Sequence, residues 1–347
     1  APETRLRGIV HKERIFEDFS RQPLLPNKLS QLGPGIAFGD VDGNGSEDFF
    51  VSTARGQSGA IFLNDGKGNF RVGATSPFDA DEDTEGMGAL FLDADSDGDQ
   101  DLYVASGSYE YDPGSLMTRD RLYLNNGKGN FTKASLDALP VFRDNSSCVV
   151  AADFDRDGDL DLFVGGRVVS GDYPMPAQSR LLLNESGEGK VRFVEAPPER
   201  APGLRSTGMV TGALWSDADG DGWIDLLVTH EWGPVKLFRN EKGTLVDVTE
   251  KSGLHKHLGW WNSITGGDPD NDGDIDYAVG NVGLNTKYHA DPGHPVILYY
   301  GDYGDEGVKR LVEAKYENDE IVPARGKSCS TKAMPHLSKK FGTFHQF

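Results

Sequence analysis

The chain has 347 residues, 37% of them hydrophobic, and 44 glycines, which suits two ordinary domains or one large array of short strands joined by many turns. Its formal net charge of −20, from 55 acidic and 35 basic residues, argues against a nucleic-acid partner, because phosphate binding needs clustered Lys and Arg. No run of about eighteen apolar residues occurs, so no membrane-spanning helix is expected.

Read from the N-terminus, the first apolar segment is 36–38. A nine-residue acidic loop follows it, carrying Asp40, Asp42, Asn44, Gly45, Ser46 and Asp48. The run 49–51 leaves this loop, and 60–64 forms a third apolar stretch that ends at Asn64. The turn at Asp65 and Gly66 comes next, of the kind that tolerates positive φ and closes hairpins. The pattern then recurs. The second loop holds Asp93, Asp95, Asp97, Gly98, Asp99 and Asp101 between segments 89–92 and 102–104, with a third segment at 122–125. The third holds Asp153, Asp155, Asp157, Gly158, Asp159 and Asp161 between 149–151 and 162–164, with a third segment at 181–184. The fourth holds Asp217, Asp219, Asp221, Gly222, Trp223 and Asp225 between 213–215 and 226–228, with a third segment at 235–240. The fifth holds Asp268, Asp270, Asp272, Gly273, Asp274 and Asp276 between a weaker segment, 263–265, and 277–279.

The spacing has a physical cause. A hard cation such as Ca²⁺ takes six to eight oxygens at about 2.3–2.6 Å. Side-chain oxygens at positions 1, 3 and 5 of a tight loop converge on one point, and Gly at position 6 permits the turn. Position 7 offers its carbonyl, and the Asp at position 9 closes the shell. Zinc and copper fit poorly without sulfur or regular His ligands, and magnesium demands a stricter octahedron, so about five Ca²⁺ sites are expected. An EF-hand shares the opening pattern but needs Glu at position 12 and a following helix. Position 12 is Val51, Val104, Val164, Val228 or Val279, inside a short β-type run, so EF-hands are ruled out.

Four short antiparallel strands per unit of roughly 40–60 residues describe a propeller blade, and such units bury their faces only by stacking on neighbours. The expected fold is therefore all-β: a β-propeller of four-stranded antiparallel blades with calcium loops on one rim. The loops, together with Phe38 and Gly39 before the first and Gly59 and Ala60 after it, resemble the FG-GAP repeats of integrin α subunits. The segment 280–288 is similar to bacterial secreted relatives of cartilage acidic protein. The resemblance covers about residues 34–325. It implies an integrin-like ring of seven blades, or six or an incomplete one here, in proteins that bind macromolecules outside the cell.

The ends depart from the repeat. The segment 1–33 is expected to supply a ring-closing strand near Ile15 to Phe19. A sixth loop, 302–310, keeps Asp302 and Gly307 but has Arg310 where the closing Asp belongs, as in a blade that has lost its metal. The tail, 326–347, is basic and expected to be helical. Cys148 and Cys329 are open to two readings, a disulfide or two free buried thiols.

The expected function is a calcium-stabilised binding or adhesion module for protein or carbohydrate ligands, secreted, periplasmic or on the cell surface. Its ligand face is expected on the rim opposite the metal loops, where Tyr109, Tyr111, Tyr173, His230, Trp232, Trp260, Trp261 and Tyr288 fall in connecting loops. The competing reading is a propeller enzyme acting on polysaccharide in the manner of a lyase, with His230 and Tyr288 or Tyr173 as base and acid.

Overall fold

The computed structural model describes residues 11–187, 189–283, 286–303, 307–343 and 347. Three four-stranded antiparallel sheets come first, each threaded in chain order. Sheet one holds β1 (Ile36–Gly39), β2 (Asp48–Val51), β3 (Ala60–Asn64) and β4 (Phe70–Val72). Sheet two holds β5 (Gly86–Leu92), β6 (Asp101–Ser106), β7 (Arg121–Leu124) and β8 (Thr132–Lys133). Sheet three holds β9 (Ser146–Ala152), β10 (Asp161–Gly166), β11 (Arg180–Asn184) and β12 (Phe193–Glu195). Each acidic loop joins the first strand of a sheet to the second.

The second strands read as unbroken apolar runs for a reason. Every residue of β6 and β10 is buried, because these strands have a partner strand on each side and a neighbouring sheet on each face. Sheet one packs on sheet two through Ala37, Phe50, Ile61, Leu63, Leu102 and Tyr123. Sheets two and three share Tyr103, Leu122, Leu162, Val164 and Leu182. Phe163, Val210, Leu226, Val228 and Phe238 carry the stacking to the fourth sheet.

Glycines let the chain just before β1, within β5 and within β9 approach one another closely. A Cβ on Gly35 would lie 2.7 Å from Gly88 Cα, and one on Gly88 would lie 3.1 Å from Cys148 Cα.

The fourth sheet departs from the expected separation of blades. It contains β13 (Met209–Ser216), β14 (Asp225–Pro234), β15 (Lys236–Asn240) and β16 (Leu245–Asp247). Its long strand β14 pairs at its far end with β17 (Leu258–Gly267), through Glu231 with Trp260 and Pro234 with Leu258. β17 in turn pairs with β18 (Asp276–Asn281), so the fifth acidic loop belongs to a sheet continuous with the fourth. A separate three-stranded sheet follows: β19 (Ile297–Gly301), β20 (Arg310–Glu317) and β21 (Glu320–Pro323). Asn318 and Asp319 both take positive φ at its hairpin turn, as a type I′ turn requires. Of the sixth loop, residues 304–306 lie outside the described residues.

The N-terminal segment corrects an expectation. A short helix, α1 (Asp18–Arg21), stands where a ring-closing strand was expected, and no strand occurs among the described residues 11–33. Buried Asp18 accepts the backbone N–H groups of Leu29 (2.7 Å) and Ser30 (2.8 Å) and the Ser30 hydroxyl (2.7 Å), folding the segment back on itself. Two short helices, α2 (Lys327–Ala333) and α3 (Leu337–Lys340), lie among the described residues of the tail. Leu25 and Leu29 meet Ala333 and Met334 in one apolar cluster with Tyr109, Tyr173, Met209 and Leu311. Both cysteines are free, Cys148 half-buried and Cys329 exposed, so they form no disulfide.

Candidate metal loops and the opposite rim

In each of the five loops three Asp oxygens lie within 4.8 Å of one another: Asp40, Asp42 and Asp48; Asp93, Asp95 and Asp101; Asp153, Asp155 and Asp157; Asp217, Asp219 and Asp225; Asp268, Asp270 and Asp272. Backbone N–H groups shape the turn. Asp40 accepts from Gly43 and Gly45, Asp93 from Asp97 and Gly98, Asp217 from Asp221 and Gly222, and Asp268 from Asp272 and Gly273. The position-7 residues Ser46, Asp99, Asp159, Trp223 and Asp274 each donate their backbone N–H to the side-chain oxygen of Asn44, Asp97, Asp157, Asp221 or Asp272.

The Asp at position 9 braces the loop from within. Asp48 accepts the N–H of Val41 (3.0 Å) on one oxygen and that of Asn64 (2.7 Å) on the other. Asp101 does the same with Ala94 and Asn125, Asp161 with Phe154 and Asn184, and Asp225 with Ala218 and Asn240. One buried carboxylate thereby fixes both the loop and the end of the third strand. The fifth loop lacks half of this arrangement: position 2 is Pro269, which has no N–H to give, and Asp276 is exposed.

Whether a cation suits these loops can be tested on their oxygens. Buried oxygens of Asp95, Asp99, Asp153, Asp155 and Asp159 have no hydrogen-bond partner among the described residues. Burial first, and neighbouring carboxylates second, push Asp99 and Asp159 up to about 6. Burial pushes Asp101 and Asp161 up to about 7, against the backbone N–H bonds they accept. Unpaired oxygens that crowd one another are what a divalent ion would satisfy. The donor set fits calcium.

The third loop carries an extra partner. The Arg200 guanidinium lies 3.0 Å from the Asp155 carboxylate and rests over the Phe154 ring. Arg156, in the same loop, sits over the ring of Trp223 at 4.1 Å, linking the third loop to the fourth.

The opposite rim differs from expectation. Tyr109, Tyr111, Tyr173 and His230 are all buried, from 0% to 6% exposed, and present no ligand face. The chain covers them itself. Arg21 donates to the carbonyls of Tyr109 (3.1 Å) and Glu110 (3.2 Å). Gln22 donates to the Tyr173 carbonyl (2.5 Å) and accepts from the Tyr109 hydroxyl (2.5 Å). The Tyr173 hydroxyl donates to Glu231 (2.5 Å), which pairs with Arg167, and Trp232 donates to Tyr173. Both ring nitrogens of His230 are engaged, by Thr207 (3.1 Å) and the Pro234 carbonyl (2.9 Å), and burial lowers its pKa to about 4. It is not placed as a base. Trp232 and Trp260 are half-buried with ring centroids 5.8 Å apart, and Trp261 is spent on the His257 carbonyl. Tyr288 is half-buried beside Lys287.

The FG-GAP-like repeat profile matches residues 40–104, 105–164 and 217–279, more than half of the chain. The chain belongs to the FG-GAP-like repeat family. Among curated relatives of this FG-GAP-like chain, cartilage acidic protein 1 of Mus musculus is 29% identical over 222 residues, 61% of this chain and 31% of that protein. The Homo sapiens protein is 29% identical over 222 residues, 61% of this chain and 30% of its own length. The matched region thus spans about a third of the curated relatives. Solved structures with similar coordinates include an Agrocybe aegerita lectin that recognises non-reducing terminal N-acetylglucosamine (17% identity, 71% of this chain and 56% of that one, TM-score 0.41). A Bacillus licheniformis rhamnogalacturonan lyase is similar at 13% identity over 84% of this chain and 56% of its own, with TM-score 0.41. No helix among the described residues is long and apolar enough to cross a membrane.

Residues 60–64, 122–125, 181–184 and 235–240 each end in Asn, a signal visible in the sequence whose meaning emerges only in space. The amides of Asn125, Asn184 and Asn240 donate to the carbonyls of Val41, Ala94 and Phe154, the position-2 residues of the preceding repeat's loop.

Proposed function

We propose that the chain is a calcium-stabilised binding module that works outside the cytoplasm and presents its ligand surface, for protein or carbohydrate, on a scaffold held by metal. The observation that carries this is the five acidic loops, each with three carboxylate oxygens within 4.8 Å. Each site would use the side chains at positions 1, 3, 5 and 9 and the carbonyl at position 7. Five Ca²⁺ ions would move the formal charge from −20 to −10 and relieve the repulsion among crowded carboxylates. Extracellular modules bind calcium at about 10⁻⁴–10⁻³ M, far above free cytosolic calcium, which favours a secreted, periplasmic or cell-surface setting. In this reading residues 34–325 act as the repeat unit, with 1–33 and 326–347 as flanking segments.

The test is a protein and glycan array probed with calcium-loaded and chelated protein, beside calorimetric titration of the chelated form. Calcium uptake near five equivalents and ligand capture that chelation weakens would support the reading. Absence of calcium uptake, or capture indifferent to chelation, would count against it.

A further inference from the structure

On the rim opposite the acidic loops, a recess lies at the start of β7, away from the buried tyrosines. Two adjoining cavities there share Asp81, Thr84 and Arg121. One runs toward sheet one, along Ser52, Thr53 and Gly86. The other opens between the loop before β7 and the loop after β8 as a recess of about 90 Å³.

Its wall alternates donors and acceptors. Lys133 lies 2.5 Å from the Asp81 carboxylate, which also accepts from Tyr123 at 2.7 Å. Arg121 gives its Nε to Ser106 (3.1 Å), and Arg119 is braced by the carbonyls of Leu136 and Leu139. Beneath them Asp120 is buried and fully engaged by Tyr103, the Ser106 N–H and Ser146. Two large apolar side chains flank the recess: Leu116, 60% exposed, and Leu136, 74% exposed.

The charges select the ligand class. Arg119, Arg121 and Lys133 line the recess together with Asp81 and Asp120, and the adjoining loop adds Asp79, Glu82 and Asp83. An anionic ligand would meet no net attraction in a chain of charge −20. A purely apolar ligand would strip water from ionised groups without replacing it. A neutral ring bearing hydroxyls satisfies both sets of polar groups and offers C–H faces to the leucines. The recess is well below the roughly 300–1,000 Å³ of pockets that enclose a whole ligand, so the ring enters edge-on.

We propose that this groove binds one pyranose ring of a neutral saccharide, with Asp81, Arg119, Arg121 and Lys133 meeting its hydroxyls and Leu116 and Leu136 its C–H surface. The proposal rests on the binding-module reading and supplies its ligand class and site.

The experiment is saturation-transfer NMR on the full chain in calcium-saturated buffer, with a panel of neutral methyl glycopyranosides and methyl glucuronide as the anionic counterpart. The expected result is saturation transfer to at least one neutral glycoside, with affinity reduced at least tenfold by both Arg121→Gln and Leu136→Asp. Thermal unfolding and calcium titration of each variant establish that it is folded and metal-loaded; Leu136→Asp alters only an exposed position. Silence from every neutral glycoside overturns the proposal, as does binding to methyl glucuronide alone. Sugar binding that both variants leave unchanged overturns the groove while leaving the module reading standing. Absence of calcium uptake strikes the module reading instead.

Discussion

The side-chain amide of Asn240 donates to the main-chain carbonyl of Phe154, 2.8 Å away, joining the third strand of the fourth sheet to the acidic loop of the third. The same amide also donates to Ile224 (3.0 Å), while its oxygen accepts the Gly243 N–H at 2.7 Å. Asn125 makes the corresponding bond to Val41 at 2.8 Å from a half-buried position. Stacking of the sheets is thus reinforced by one polar latch per neighbour, seated behind the loop.

The two latches should differ in worth. Removing Asn240 strands buried backbone groups, each costing about 1–3 kcal/mol when left unsatisfied. Asn240→Ala is expected to destabilise by at least about 2 kcal/mol, and Asn125→Ala by about 1 kcal/mol, because water reaches its site. Urea unfolding of both variants in calcium buffer checks the order.

Arg200 competes with any cation at the third loop, since its guanidinium already neutralises Asp155 at 3.0 Å. Arg200→Gln should therefore tighten calcium binding there, by about three- to tenfold for a partly solvated pair. Stepwise titration, with Asp217→Asn marking the fourth loop, would locate the change. Weaker binding would show that Arg200 shapes the loop more than it repels the ion.

Glu85 is buried, and that burial pushes its carboxyl up to about 8 from an ordinary 4.5. Between those values the folded chain holds a proton that the unfolded chain has lost. The contribution of Glu85 to stability is therefore complete below about 4.5 and disappears as pH rises through 8, by at most about 1.4 kcal/mol per pH unit. Glu85→Gln, which cannot ionise, should flatten this dependence. Relative to the parent it should be near neutral at pH 5 and stabilising at pH 9, as thermal melts of both proteins in fixed calcium would reveal.

The acidic loops and strand cores were legible because both follow from local spacing. Val51, Val104, Val164, Val228 and Val279 all fall within second strands, and β3, β7, β11 and β15 lie where the Asn-ending runs lie. The opposite rim was not legible. Tyr109 and Tyr173 look like exposed loop aromatics until Gln22, 151 residues before Tyr173, is seen bonded to both. Ile15 to Phe19 carry a strand-like composition, but Asp18 turns the chain through contacts with Leu29 and Ser30 that no periodicity records. Pro269 was in plain view in the fifth loop. Its meaning depended on the Val41 N–H bond to Asp48, a contact seen only in the folded repeat.

The central claim is that calcium occupies the five loops, and anomalous diffraction from crystals grown in calcium-rich buffer tests it most directly. The account predicts an anomalous peak in each loop, about 2.3–2.6 Å from its Asp oxygens. Loops holding only water under those conditions would contradict it.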